Sequence, residues 1–284
     1  MKNTLTWILP LLLAAAIAAS PLLSRTGGGG EDTAADVLRA MEAGDPDAVQ
    51  DVIRQQQKAR MEDQREEIRR SLLSGETDIW SMFRDYLIVG DSRAYGFSYN
   101  GFLPEDRVLA DVGDTVLDLE EHIPEIAAMR PARLYISYGM NEFDNQAVWP
   151  TGQSYADSLE RILGEVEEAL PGVEIYVNSF MEVLESGQYE GGNWDDFDSW
   201  NDTVREMCHK HGYTFVDNAK IAAEHHDLYY EDGVHFAPEF YDYWAANLIM
   251  ATYYPEDEQA VETVDTTDPG GADGPAGAEE ENEG

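Results

Sequence analysis

Ser92, His235 and Asp232 are residue types that together activate an oxygen nucleophile. A serine hydroxyl is a poor nucleophile until an imidazole takes its proton, and a carboxylate behind that imidazole holds the tautomer able to do so. Asp232 stands three residues before its partner in Asp232-Gly233-Val234-His235, and Ser92 closes the run Gly90-Asp91-Ser92. Such a set performs acyl transfer through an acyl-enzyme, and the tetrahedral oxyanion this creates needs fixed hydrogen-bond donors. The Ser92 amide, the Gly113 amide and the side chain of Asn141, in Gly139-Met140-Asn141, can converge to supply them. Gly113 suits the task because a missing Cβ lets the backbone approach a substrate closely.

These residues lie far apart along the chain, so secondary structure must gather them. Short β-rich runs predict strands at Tyr86–Val89, Val108–Val112, Leu134–Tyr138, Val173–Val177 and Thr214–Val216. Between them, Leu159, Ile162, Leu163, Val166 and Leu170 share one helical face, and Phe240, Trp244 and Leu248 repeat the pattern in a last helix. Parallel strands need a crossover helix to bring the chain back. The βαβα order therefore predicts an α/β fold with a five-stranded, mostly parallel sheet covered on both faces. Ligands of such sheets bind outside the carboxyl ends of the strands. The candidate residues follow three predicted strands and precede the last helix, where that rule wants them.

The four blocks, Gly90-Asp91-Ser92, Gly113, Gly139-Met140-Asn141 and Asp232-Gly233-Val234-His235, occur in the order found in the SGNH hydrolase superfamily, the GDSL-type esterases and lipases, which the chain resembles over roughly residues 83–254. The resemblance implies a three-layer α/β/α sandwich of flavodoxin-like type and a serine esterase working without a cofactor. It also implies the four named family roles for Ser92, Gly113, Asn141 and His235, with Asp232 completing the triad. The family often has Asp after the third-block Asn, and here Glu142 stands there. The change bears on neighbouring hydrogen bonds more than on the Asn141 donor. An α/β-hydrolase elbow would read Gly-x-Ser-x-Gly, whereas Ser92 is followed by Arg93 and Ala94.

Composition narrows the partners. Among 284 residues, 18 Lys and Arg face 57 Asp and Glu, a formal charge of -39 that repels polyanions, so nucleic acid is not an expected partner. The single cysteine, Cys208, excludes an internal disulfide and falls in helical register with Trp200, Val204 and Met207, as a buried structural thiol would. No metal site is expected. His225 and His226 diverge on a helix, His209 and His211 sit at a helix end closed by Gly212, and His122 precedes Ile123-Pro124 as a structural residue.

The chain ends are of another kind. Residues 3–24 carry no charge and are long enough to cross a hydrocarbon core of about 30 Å. Residues 1–25 read equally as a signal peptide, with a small-x-small site at Ala16-Ile17-Ala18, or as an uncleaved membrane anchor. Both put the rest outside the cytoplasmic membrane. Residues 26–80 form a spacer, with Gly27–Gly30, and a helical stalk interrupted at Gly44-Asp45-Pro46. Residues 81–255 form the hydrolase domain, and 256–284, with eleven acidic residues and no Lys or Arg, an acidic disordered tail.

Two loops are expected to rim the site, residues 142–154 with Trp149 and residues 182–198 with Tyr189 and Trp194. Polar, aromatic surfaces of this kind suit sugar faces better than long acyl chains, although the two tryptophans serve equally as packing. Asp91, Arg93, Glu142 and Trp194 are the expected substrate-side residues. The reading that follows is an esterase removing short acyl groups, O-acetyl above all, from extracellular or cell-envelope carbohydrate. An O-acyltransferase on a surface glycan, a lipase or lysophospholipase, and a non-catalytic glycan-binding module are the alternatives.

Overall fold

The computed structural model describes residues 46–184 and 196–255. The expected leader or anchor, the glycine spacer, the acidic tail and Trp194 lie outside them. Among the described residues no helix is long and apolar enough to cross a membrane. The chain divides into two compact units. One spans 58–255, and the other takes 1–57 with 256–284, of which only residues 46–57 are described.

The first described helix, α1 (Pro46–Leu73), begins at the break read from Gly44-Asp45-Pro46. Within the larger unit its end joins the core, since Leu72 is buried with Ile79. The hydrophobic core therefore reaches back before residue 81, the boundary expected from composition. After it come β1 (Tyr86–Gly90), α2 (Ser92–Tyr99), β2 (Val108–Ala110), α3 (Asp118–Met129) and β3 (Arg133–Ser137). The short α4 (Met140–Asp144), α5 (Gly152–Ala169), β4 (Glu174–Asn178), α6 (Phe197–His211), β5 (Thr214–Val216), α7 (Ala219–Glu224) and α8 (Phe240–Tyr253) complete it.

The sheet is wholly parallel, with strand order β2-β1-β3-β4-β5. Side chains alternate across it. Leu87, Val89, Leu134, Ile136, Ile175 and Val177 face a layer built from α3, α5 and α6, whereas Tyr86, Ile88, Tyr135 and Tyr176 face α2, α8 and the end of α1. This is the expected three-layer sandwich. Its central strands are covered on both sides, which explains their unbroken apolar runs. Cys208 is buried in the first layer, and burial pushes its thiol up to about 12, so it is inert packing.

Four strands match expectation to within one residue at each end, and β2 is two residues shorter. β2 stops at Ala110, because the Asp111 carboxylate accepts from the Val112 amide at 2.8 Å and the Asp114 carboxylate from the Asp111 amide at 3.0 Å. Short acidic side chains thus take over the backbone donors and turn the chain out of the sheet. Val112 ends up exposed.

Candidate active site

Ser92, the expected nucleophile, opens α2 directly after the turn from β1. The Asp91 amide donates to the Ser137 carbonyl at 3.1 Å, extending the β1–β3 pairing one residue beyond the strand. Asp91 then caps α2, its Oδ1 accepting from the Arg93 amide at 2.9 Å, while Oδ2 accepts from the Met140 amide at 3.2 Å. One buried carboxylate thereby fixes both the turn that bears Ser92 and the turn that bears Asn141. Burial raises the Asp91 carboxyl, and the Arg93 charge and the amide hydrogen bonds counter it.

Ser92 Oγ lies 2.9 Å from His235 Nε2, and His235 Nδ1 lies 2.8 Å from Asp232 Oδ2. The other Asp232 oxygen accepts from the amides of Val234, at 2.8 Å, and His235, at 2.9 Å. Partial burial works to raise the Asp232 carboxyl. The hydrogen bonds from the His235 ring and the two amides outweigh it and hold the group below the ordinary carboxylate range. An ionised Asp232 accepts a hydrogen bond from the Nδ1–H of His235, favouring the tautomer that leaves unprotonated Nε2 facing the serine hydroxyl.

A small hairpin delivers His235 to this position. Tyr229 and Phe236 form an antiparallel bridge, the Tyr230 amide donates to the His235 carbonyl at 2.8 Å, and the Gly233 amide donates to the Tyr230 carbonyl at 2.9 Å. Phe236 stacks on Phe240 of α8 with centroids 3.8 Å apart. Arg93 braces the hairpin from inside. Its guanidinium donates to the carbonyls of Val234 (2.9 Å), Met181 (2.7 Å) and Glu182 (2.9 Å) and lies 4.9 Å from the Phe236 ring centre. Burial lowers its pKa, an effect opposed by Tyr229 and Asp91.

Two of the expected oxyanion donors, Asn141 and Gly113, lie on α4 and the 111–117 loop. Asn141 Nδ2 donates to the Asp114 carbonyl at 2.6 Å, which leaves the second N–H of that amide for another acceptor. Gly113 has φ +91°, a region other residues avoid, yet a Cβ built there would meet open space. The backbone turn by itself calls for glycine at this position. At Gly139 the backbone (φ +138°) and the space both call for glycine, since a would-be Cβ would lie 2.2 Å from the Phe180 ring. Among the described residues the amides of Ser92 and Gly113 donate to no protein group.

Ser92, His235, Asp232, Gly113 and Asn141 thus belong to one end of the sheet. The expectation that Asp91, Arg93 and Glu142 contact substrate is not met: all three are buried. Asp91 and Arg93 are engaged by protein backbone as described, and Glu142 Oε1 accepts from the Val116 amide at 2.5 Å. Trp149 is buried as well, its Nε1 donating to Ser158 Oγ at 3.2 Å, so it is packing and offers no sugar face. His226 pairs with Glu182 at 2.6 Å, His211 with Glu160 at 2.8 Å, and the His225 ring packs at a tilt of 34° against Tyr243. No group of three or more metal-ligating side chains occurs among the described residues. The carbonyls that hold Arg93, and the Asp114 carbonyl and Val116 amide that meet α4, are backbone groups with no mark in the sequence.

Residues 88–243, more than half of the chain, match the model of the GDSL-like lipase/acylhydrolase family. Among curated proteins no relative matches. Solved structures that are similar include a GDSL-like lipase from Bacteroides thetaiotaomicron, with 15% identity, a TM-score of 0.47 and coverage of 58% of this chain and 86% of that one. A lipase/acylhydrolase from Enterococcus faecalis has 18% identity, a TM-score of 0.46 and coverage of 58% and 93%. An acetylxylan esterase from Geobacillus stearothermophilus has 17% identity, a TM-score of 0.42 and coverage of 58% and 91%. With the family model spanning the stretch from β1 into α8, this chain belongs to the GDSL-like lipase/acylhydrolase family and is a carboxylic ester hydrolase of the SGNH type.

Proposed function

We propose that the chain is a serine esterase that removes short acyl groups, O-acetyl foremost, from carbohydrate outside the cytoplasmic membrane. The observation that carries the serine chemistry is the pair of hydrogen bonds linking Ser92 Oγ, His235 and Asp232 at 2.9 and 2.8 Å. His235 takes the Ser92 proton as Oγ attacks the ester carbonyl, and the carbonyl oxygen moves onto the Ser92 and Gly113 amides and the second N–H of Asn141. The C–O bond to the alcohol then breaks, His235 returns the proton to the leaving oxygen, and the acyl group stays on Ser92. Water, deprotonated by the same ring, attacks the acyl-enzyme, releases the acid and restores the serine. Asp232 keeps the ring oriented and balances its charge throughout.

Support for a carbohydrate comes from α2. Ser92, Tyr95 and Tyr99 are its residues that are not buried, and their spacing of three and four along the helix puts them on one stripe. The two tyrosine rings lie 5.7 Å apart at 44° to one another. Phenol rings offer a sugar both an apolar face and a hydrogen-bonding hydroxyl, whereas a long acyl chain calls for a continuous apolar groove. The formal charge of -39 disfavours anionic lipid surfaces. Location outside the membrane rests on the uncharged run at 3–24 and the acidic sequence after it.

The test is product analysis with acetylated polysaccharides and with aryl acetate and aryl octanoate, comparing wild type with Ser92→Ala. Acetate release, faster turnover of the acetyl ester, fluorophosphonate labelling of wild type alone and loss of turnover in the variant are expected. Equal rates in both proteins refute the serine chemistry, and a strong preference for octanoyl refutes the short-acyl reading. A mature N-terminus at Ala19 would identify cleavage of the leader.

A further inference from the structure

Glu142 is a polar group for which the esterase chemistry has no step. It follows Asn141 on α4 and is fully buried. Its Oε1 accepts from the Val116 amide at 2.5 Å, while the neighbouring Asn141 donates to the Asp114 carbonyl at 2.6 Å. Adjacent side chains of α4 thus grip alternate residues of the 111–117 loop, and Gly113 comes immediately before the first grip. The second carboxyl oxygen, Oε2, has no hydrogen-bond partner among the described residues.

The surroundings disfavour a charge. The Asp91 carboxylate below α2 is the foremost charge acting on Glu142. Asp114 and Asp118 are further acids around the same turn, the hydroxyls of Tyr138, after β3, and Tyr155, on α5, lie within the same cluster together with Cys208, and the Arg93 charge acts on Asp91. The amides of Gly139 and Glu142 favour ionisation, but neither hydrogen-bonds Oε2. A carboxylate here would place a charge with one unpartnered oxygen beside a second carboxylate in a buried turn, and the acid form removes that charge, leaving only the smaller cost of an unpartnered hydroxyl. Burial first, and then the Asp91 charge, push the Glu142 carboxyl up to about 8.

We propose that Glu142 is a positioning residue for the oxyanion donors and works as a neutral acid, holding the Gly113 loop in register with Asn141, so that its ionisation turns catalysis down. Ionisation acts twice in the same direction. It adds charge repulsion with Asp91, which forces the 139–142 turn to open toward water, and it brings a negative charge near the site where the substrate oxygen becomes negative. The inference rests on the serine esterase reading.

The test measures kcat and KM for an aryl acetate across neutral to alkaline pH, with background hydrolysis subtracted. Wild type should lose kcat as pH rises through about 8 while KM holds. Glu142→Gln offers the Val116 amide the same acceptor without a titrating proton, so it should keep kcat within about threefold at neutral pH and lose the alkaline fall. Glu142→Ala should lose roughly 10- to 100-fold in kcat at every pH. An alkaline fall unchanged in Glu142→Gln, or wild-type kcat in Glu142→Ala, overturns the inference. Ser92→Ala is run beside them: full activity there sinks the esterase reading, whereas inactivity there with an unchanged fall in Glu142→Gln sinks this inference alone. Should the Gln variant not fold, wild type labelled with ¹³C in its glutamate carboxyls answers instead. One resonance titrating near pH 8 is expected, and all of them titrating in the ordinary carboxylate range would overturn it.

Discussion

Replacing Arg93 with Lys tests whether the residue beside the nucleophile braces the site or touches substrate. The guanidinium makes three hydrogen bonds to the carbonyls of Val234, Met181 and Glu182 and is 4% exposed, so solvent screening discounts little of their strength. Hydrogen bonds to a charged group are worth about 1.5–3 kcal/mol each, and a lysine ammonium reaching one carbonyl forfeits the other two. Losing two such bonds makes a loss of roughly 3–5 kcal/mol, although the Glu182 carbonyl keeps the Tyr229 hydroxyl as a donor at 3.0 Å, and that is a large part of a domain's usual 5–15 kcal/mol. The readout for stability is urea unfolding. For activity, the Val234 carbonyl belongs to the residue directly before His235, so the imidazole loses its brace while the substrate surface is untouched. A displacement on the order of 1 Å costs about 100-fold, so kcat should fall by roughly 10- to 100-fold with KM within about threefold. A residue contacting substrate would instead raise KM with kcat kept. That pattern, or a Lys variant with the wild-type unfolding midpoint, would refute the bracing argument.

Other outcomes follow from the same geometry. Asp232→Asn keeps an acceptor for the Val234 and His235 amides but removes the charge that orients His235, so kcat should drop roughly 100-fold or more, and a loss under about threefold would exclude Asp232 from the triad. Tyr95→Ala with Tyr99→Ala should raise KM for an acetylated oligosaccharide while leaving aryl acetate turnover nearly unchanged; equal effects on both substrates would remove the stripe on α2 from sugar recognition. The folded chain retains on Glu142 a proton that the unfolded chain releases above 4.5, so between 4.5 and about 8 this group makes stability fall as pH rises, by about 1 kcal/mol per pH unit. Urea titrations of wild type and Glu142→Gln should therefore converge or cross over that window, and a gap independent of pH would show that Glu142 ionises normally.

Much of the architecture is legible because it follows from local rules. Five strands were readable from short apolar β-rich runs, and their parallel pairing from the helices between them. Only the end of β2 escaped by more than one residue, because Asp111 and Asp114 divert backbone donors with their own side chains. The hydrogen-bonded chain of Ser92, His235 and Asp232 is legible because Asp232 and His235 share a four-residue turn and Ser92 opens a helix after a strand. What was not legible is which polar residues in the same blocks face inward. Asp91, Arg93 and Glu142 are types usually found at surfaces, and their burial depends on the carbonyls of residues 181, 182 and 234 and the amides of residues 116 and 140, all remote in sequence and anonymous in type.

That inward set has a regular arrangement. Buried Asp91, the cap of α2 with extended backbone, stands next to Ser92, and buried Glu142 follows Asn141 within α4, so in each pair the two side chains leave the chain in different directions. A turn that aims one polar residue at substrate therefore aims its neighbour into the protein, where the neighbour can tie that turn to the next. Asp91 links the Ser92 turn to the Asn141 turn through the Met140 amide, Glu142 links the Asn141 turn to the Gly113 loop through the Val116 amide, and Arg93 links the Ser92 helix to the His235 hairpin through the Val234 carbonyl. These three ties join all four blocks, so the spacing of the reacting groups is set one residue away from them. Loss of either member of a pair lowers the rate. Only the reacting member removes a group from the chemistry, so rate alone cannot separate them, whereas rescue by an uncharged isostere at the buried position can.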